Sequence, residues 1–156
     1  MILIEIPGRE KIRIENIVFD YNGTIATDGI VSEETKSNIM KLKELANIYV
    51  LTADTHGTAM ANCASLNINI ETFPKENAGS EKEKIVERLG ADNTICIGNG
   101  YNDLQMAQKC ALCICILGKE GCYGKLLSLA DVVVTSIDDA INLILKPKRL
   151  IATLRN

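Results

Sequence analysis

Three short apolar runs, Ile17-Val18-Phe19, Ile48-Tyr49-Val50-Leu51 and Ile95-Cys96-Ile97, each stop abruptly at a polar residue or a glycine-led turn. That repetition constrains the fold more than any other feature. Runs rich in β-branched and aromatic residues, with no polar residue in alternation, are strands buried on both faces, and a helix-covered parallel sheet is the usual way to bury them. Helix signals fill the gaps: Ser80-Glu81-Lys82-Glu83-Lys84-Ile85-Val86-Glu87-Arg88-Leu89-Gly90 has a capping serine, an amphipathic period and a terminating glycine. The alternation predicts an α/β chain, a Rossmann-like three-layer sandwich with a central parallel sheet. The expected order is a hairpin (2–6, 12–14), strand 16–20, helix 33–45, a strand ending at Thr52, helix 58–66 and strand 68–73. The Lys82 helix, strand 94–98, helix 102–109, strand 112–117, helix 122–130, strand 132–134 and helix 138–145 follow. A chain of 156 residues that is 47% hydrophobic suffices for one such core, so residues 1–156 are read as a single domain. The basic run Lys146-Pro147-Lys148-Arg149 is read as a solvated tail.

Ligands of open α/β sheets gather at the carboxyl ends of the strands, so the residues ending each run are the candidates for chemistry. Asp20 ends the first and leads into Asn22-Gly23-Thr24. Thr52 ends the second, ahead of His56-Gly57. The third opens into Gly98-Asn99-Gly100-Tyr101-Asn102-Asp103, and the Lys82 helix can turn one ammonium inward. A carboxylate, a hydroxyl, an ammonium and an Asn/Asp pair suit a phosphoryl group. Each also has a plainer reading taken alone. Asn22-Gly23 is a common turn pair, Asn102 and Asp103 can cap a helix, and a helix lysine is usually a solvated charge. His56, the only histidine, serves either as a surface or capping residue or in substrate contact and proton transfer.

Taken together, the motifs from Asn16 to Ser136 resemble the haloacid dehalogenase superfamily, most closely its soluble members akin to P-type ATPases. The apolar strand before Asp20-Tyr21-Asn22-Gly23-Thr24 is similar to that family's first motif, Thr52 to its second, Lys82 with Val86 and Leu89 to its third, and Gly98-Asn99-Gly100-Tyr101-Asn102-Asp103 to its fourth. The resemblance implies Asp20 as nucleophile and Lys82 as its charge partner, with Lys84 the fallback. It implies phosphate binding by Thr52, Lys82 and the backbone amides of residues 21–24, Asn22 and Gly23 included. It further implies Mg²⁺ held by the Asp20 carboxylate, the Asn22 backbone carbonyl and the Asn99 amide oxygen with waters, Asp103 holding one of those waters.

Two positions depart from the family's phosphatases. Asn22 stands where they carry a second aspartate as general acid and base. An amide exchanges no proton near neutral pH, which removes a contribution of roughly 10² to 10⁴ in rate. Basic leaving groups such as sugar alkoxides should suffer most, and aryl phosphates, acyl phosphates and phosphoanhydrides least. Asn99 stands where a carboxylate binds the metal directly, so Mg²⁺ affinity is expected to be weaker than in a two-carboxylate site. The resemblance therefore implies a Mg²⁺-dependent phosphohydrolase acting through an aspartyl phosphate on small phosphorylated substrates with good leaving groups. The alternative is a weakly catalytic or non-catalytic phosphate- or nucleotide-binding regulator. A part of an ATPase acting in trans with a membrane partner is a third reading, weakened because the chain has no nucleotide-binding domain.

The spacings from Asp20 to Thr52 and from Thr52 to Lys82 leave no room for the cap domain usual in the family. A capless site is expected; capless relatives close by oligomerising or act on bulky substrates, so a homo-oligomer with the 25–30 flap near its interface is a further expectation. A net charge of −3 without an extended basic cluster argues against nucleic acid as a partner. No apolar stretch approaches the roughly 20 residues of a membrane span and the start lacks signal-peptide features, so a cytoplasmic protein is expected. Cys110, Cys113, Cys115 and Cys122 invite a zinc reading, but small buried hydrophobes on a strand explain them better.

Overall fold

The computed structural model describes residues 1–54 and 56–156. An antiparallel hairpin, β1 (Ile2–Ile4) and β2 (Ile12–Ile14), opens the chain, with Ile2 opposite Ile14. Then come β3 (Asn16–Asp20), α1 (Glu33–Lys43), β4 (Asn47–Thr52), α2 (Thr58–Cys63), β5 (Asn69–Thr72) and α3 (Ala78–Leu89). The second half runs β6 (Thr94–Gly98), α4 (Leu104–Lys109), β7 (Leu112–Ile116), α5 (Gly124–Leu129), β8 (Val132–Val134), α6 (Ile137–Leu145) and α7 (Pro147–Leu154). The main sheet has the order β5-β4-β3-β6-β7-β8, every pair parallel.

Strand geometry divides the core. Ile17 and Phe19 of β3 face a cluster with Ile39 and Leu42 of α1, Ile141 and Ile144 of α6, and Ile4 and Ile14 of the hairpin. Val18, one residue out of phase, points to the other face among Ile85 and Val86 of α3 and Met106 of α4. Ala107 of α4 and Leu126 of α5 continue that second layer against Cys113 and Cys115 of β7. The three-layer α/β sandwich expected from the apolar runs is thus the fold, and no cap domain intervenes between the strand ends among the described residues.

The basic run near the end is not a solvated tail. Pro147 occupies the first turn of α7, where its missing N–H leaves no bond unmade, and Leu150 and Leu154 recur one turn apart, both buried against the core. Lys146, Lys148 and Arg149 are exposed, so the charges are solvated as expected while the backbone is helical. Other boundaries differ by a few residues: β1 ends at Ile4 rather than residue 6, α1 at Lys43, and α5 spans only Gly124–Leu129.

The chain leaves β3 toward β4 and β5 on one side, and β6, β7 and β8 build outward on the other. The strand order therefore reverses between β3 and β6, and their carboxyl ends open a crevice there. Asp20 is the last residue of β3 and Asn99 the first after β6.

Candidate active site

At this switch point Asp20 is buried with one oxygen toward each neighbour. Its Oδ1 accepts from Lys82 Nζ at 2.6 Å, and its Oδ2 accepts from the Thr24 hydroxyl at 3.3 Å. Lys82 comes from the second turn of α3 and is 1% exposed. Its ammonium also donates to Asp103 Oδ1 at 2.6 Å and to Asn102 Oδ1 at 3.1 Å. Lys84, two residues on, points away and pairs with Glu81 at the surface, which removes it as an alternative.

Two carboxylates share one ammonium, leaving one negative charge in excess. Burial pushes the Asp20 carboxyl up to about 7 from its ordinary 3.8; Asp103 adds to the rise and Lys82 only partly offsets it. Burial opposes the charge on Lys82, but the Asp103 and Asp20 carboxylates outweigh it and hold the ammonium above its ordinary range. The cluster thus carries its excess negative charge only as Asp20 loses its proton, around neutral pH.

Asp103 is placed by backbone. Its Oδ2 accepts from the N–H groups of Asn99 and Gly100 at 3.0 and 2.9 Å, and its carboxyl packs directly on Gly98. A Cβ at Gly98 would lie 2.5 Å from that carboxyl, so only glycine fits there. With both oxygens engaged and 1% exposure, Asp103 orients Lys82 and the 99–100 backbone from beneath the cavity. These contacts make Asp103 a helix cap as well as a partner of Lys82.

Gly23 also does a different job from the expected one. Its N–H donates to Ala26 O at 2.9 Å and that of Thr24 to Tyr21 O at 3.3 Å, so these amides close the turn rather than face a ligand. What the site needs from Gly23 is a left-handed φ of +77° and the absence of a side chain, since a Cβ would meet Asn99 Nδ2 at 2.3 Å. Asn99 is held on three sides. Its Oδ1 accepts from Thr24 at 3.3 Å, its Nδ2 donates to Gly121 O at 3.2 Å, and its backbone O accepts from Tyr123 N at 2.8 Å. An aspartate at 99 would set an anionic oxygen against the Gly121 carbonyl, which gives the amide a structural reason.

These groups border a cavity of about 660 Å³ lined by Asp20, Asn22, Thr52, Asp54, Lys75 and Asn99, with Tyr101 and Asn102 at its edge. Thr52 is buried, and its Oγ1 accepts from Asp54 N at 3.0 Å, which leaves its proton to donate into the cavity. Asp54 receives the N–H groups of His56 and Ala59 at the start of α2, and these bonds hold its carboxyl below the usual range. His56 itself is exposed and absent from the cavity lining. The side chain of Asn22 is exposed into the cavity. Buried Tyr21 donates to Gly29 O at 2.8 Å, tying the 25–30 flap to the Asp20 turn.

Sequence reasoning missed three members. Thr24 bridges Asp20 and Asn99, a role that only the folded turn reveals. Asn102, read as a helix cap, reaches Lys82. Lys75, in a 3-10 turn after β5, is the only cation lining the cavity among the described residues, and nothing around Pro74-Lys75 signals it. Among the described residues no three His, Cys, Asp or Glu side chains converge to hold a metal, so a cation here would depend on neutral oxygens beside Asp20.

The haloacid dehalogenase-like hydrolase family matches residues 8–110, a span from the turn of the opening hairpin to the end of α4 that includes Asp20, Thr52, Lys82, Asn99 and Asp103. The chain belongs to that family. An uncharacterized protein of Methanocaldococcus jannaschii is 42% identical over 89 residues, 53% of this chain and 96% of that protein. A second from the same organism is 56% identical over 39 residues, 25% of this chain and 89% of its own length. Among solved structures, the cobalt-bound deoxy-D-mannose-octulosonate 8-phosphate phosphatase of Haemophilus influenzae superposes with a TM-score of 0.73 at 16% identity, covering 88% of this chain and 90% of that one. The 3-deoxy-D-manno-octulosonate 8-phosphate phosphatase of Moraxella catarrhalis, in complex with magnesium, phosphate and the sugar acid, gives 0.72 at 17% identity, with coverages of 90% and 92%. At such identities the likeness is one of fold, and this haloacid dehalogenase-like hydrolase shares that fold over most of its length.

Proposed function

We propose that this hydrolase is a Mg²⁺-dependent phosphatase in which Asp20 attacks phosphorus, acting on small phosphorylated substrates with good leaving groups. The observation that carries the reading is the Asp20 carboxylate at the switch point, 2.6 Å from a buried ammonium and in one cavity with Thr52 and Asn99.

The donor set fits a hard divalent cation. The Asp20 carboxylate, the Asn22 backbone carbonyl and the Asn99 amide oxygen are all oxygens, and the cluster around Asp20 carries excess negative charge once Asp20 is ionised. When bound, Mg²⁺ supplies charge neutralisation for the incoming phosphate. Lys82 fixes the attacking oxygen and offsets part of the negative charge around it. Thr52 donates its hydroxyl proton to a phosphoryl oxygen, and Lys75 adds a cation at the rim. An Asp20 oxygen forms the new P–O bond as the bond to the leaving group breaks, and water then cleaves the aspartyl phosphate to release inorganic phosphate. Asn22 can neither protonate the leaving oxygen nor activate that water. This favours leaving groups that depart as stable anions over a sugar alcohol such as the one an octulosonate 8-phosphate releases. We read residues 1–156 as one hydrolase unit, and the open mouth suits self-association around the 25–30 flap.

The test is phosphate release from an aryl and an acyl phosphate with Mg²⁺, alongside acid-quench trapping of phosphoenzyme and the Asp20→Asn variant. Turnover or trapped phosphate that vanishes in the variant is the expected result. A folded protein that binds phosphate without either would establish the second reading, a phosphate-binding regulator, which Asn22 in the acid position favours.

A further inference from the structure

All six cysteines are free thiols, and two of them meet outside the cavity. Cys115 is buried near the end of β7; Cys122 is half-buried just before α5. Their sulfurs stand 2.7 Å apart, a short movement from the ~2.05 Å of a disulfide. The chain between them brings this about. Gly121 N–H donates to Gly118 O at 3.1 Å, and Gly121 takes a φ of +80°, so the strand reverses and carries residue 122 back over residue 115.

The same turn is the one that grips Asn99. Gly121 O accepts from the Asn99 side chain and Tyr123 N donates to the Asn99 carbonyl, so Cys122 lies between the two residues that hold it. The Tyr123 ring then packs edge-on to Tyr101, with centroids 5.2 Å apart, at the rim of the cavity. Cys96, Cys110 and Cys113 form a separate group of neighbouring thiols, in which Cys110 also donates to the Leu112 carbonyl, and none of the three lies in the turn that holds Asn99.

We propose that Cys115 and Cys122 form a reversible disulfide, a redox modification site that clamps the Asn99-holding turn to β7. The bond itself is independent of the phosphatase reading, which is needed only for its consequence in catalysis. The oxidant is a small-molecule or protein disulfide. The more accessible Cys122, as thiolate, attacks one of its sulfurs and expels the first thiol. Cys115 then gives up its proton and attacks the Cys122 sulfur of the mixed disulfide, expelling the second. Two protein thiols are oxidised by two electrons, the oxidant's S–S bond is reduced, and their two protons complete the two thiols released.

The test starts from the folded protein treated with oxidised glutathione, then alkylated in denaturant and cut with trypsin. Two of the six thiols should resist alkylation, and the fragment 110–119 should be joined to 120–125 by a link that reduction removes. Cys113→Ser should keep the link and Cys122→Ser should abolish it. Six alkylated thiols, a glutathione adduct on Cys122 that never closes, or a link through Cys110 or Cys113 would overturn the proposal. The clamp has its own readout: hydrogen exchange of the Tyr123 amide, bonded to Asn99, should slow about tenfold on oxidation. Unchanged exchange in protein shown to carry the bond would overturn the clamp.

Discussion

Two halves of one crevice differ sharply in charge. On the α3 side, Asp20, Lys82 and Asp103 form a buried ionic cluster with every oxygen and proton directed; on the side of the two turns, Asn22 and Asn99 present amides. The first half can organise charge around a phosphate, and the second cannot move a proton. Electrostatic positioning and acid–base chemistry are thus separable in this fold, since different side chains carry them even where, as with Asp20 and Asn22, they follow the same strand.

Removing the ionic half should have the largest effect. Lys82→Met should abolish turnover, and it should destabilise the metal-free protein by about 3 to 5 kcal/mol, because two carboxylates are left buried without a counter-ion. Urea denaturation at pH 8 reads this directly. Asp20→Asn should also abolish turnover while acting oppositely on stability. The Asp20 carboxyl titrates near 7 when folded against 3.8 ordinarily, so the folded protein holds more protons between those values. Its stabilising contribution is complete below pH 4 and is lost as pH rises through 7. The variant should therefore have the higher Tm at pH 8 without metal and a flatter Tm profile from pH 5 to 8; a lower Tm at pH 8 would show that the Lys82 contact outweighs burial.

The amide half is sharpened by restoring its charge. Asn22→Asp should raise turnover of an alkyl phosphate by about 10² and that of an aryl phosphate far less, which steady-state kinetics on the two esters would compare. Asn99→Asp should give a smaller and mixed result. Mg²⁺ half-saturation should fall, yet about 1 kcal/mol of stability should be lost, since Gly121 O loses its donor and faces a carboxylate. Parallel Mg²⁺ titration and thermal melts separate the two effects.

How far the sequence revealed this depends on the range of the interaction. Strand ends were legible because an apolar run and its polar stop are neighbours in the chain, and Asp20, Thr52 and Asn99 line one cavity as their motifs suggested. The choice of Lys82 over Lys84 rested on a family-like spacing to Val86 and Leu89, and in the structure Lys82 is buried beside Asp20 whereas Lys84 pairs with Glu81 at the surface. The rest lay in contacts between distant segments. Nothing local says that the Gly23 amide closes its own turn, that a glycine at 98 makes room for Asp103, or that the Asn99 amide is needed by a carbonyl in the turn after β7. α7 escaped because its apolar signal is two leucines behind a basic, proline-led start, a pattern shared with solvated tails.

Tyr21 staples the flap at Gly29 to the Asp20 turn, and among the described residues no inserted domain covers the cavity. Should a phosphoryl group reside on Asp20 as proposed, bulk water would have no privilege over other small nucleophiles. Glycerol or a short-chain alcohol at high concentration would then compete as acceptor, diverting the group into a new ester. With no cap domain among the described residues, such a phosphatase would leave the choice between hydrolysis and transfer to the composition of the surrounding solution.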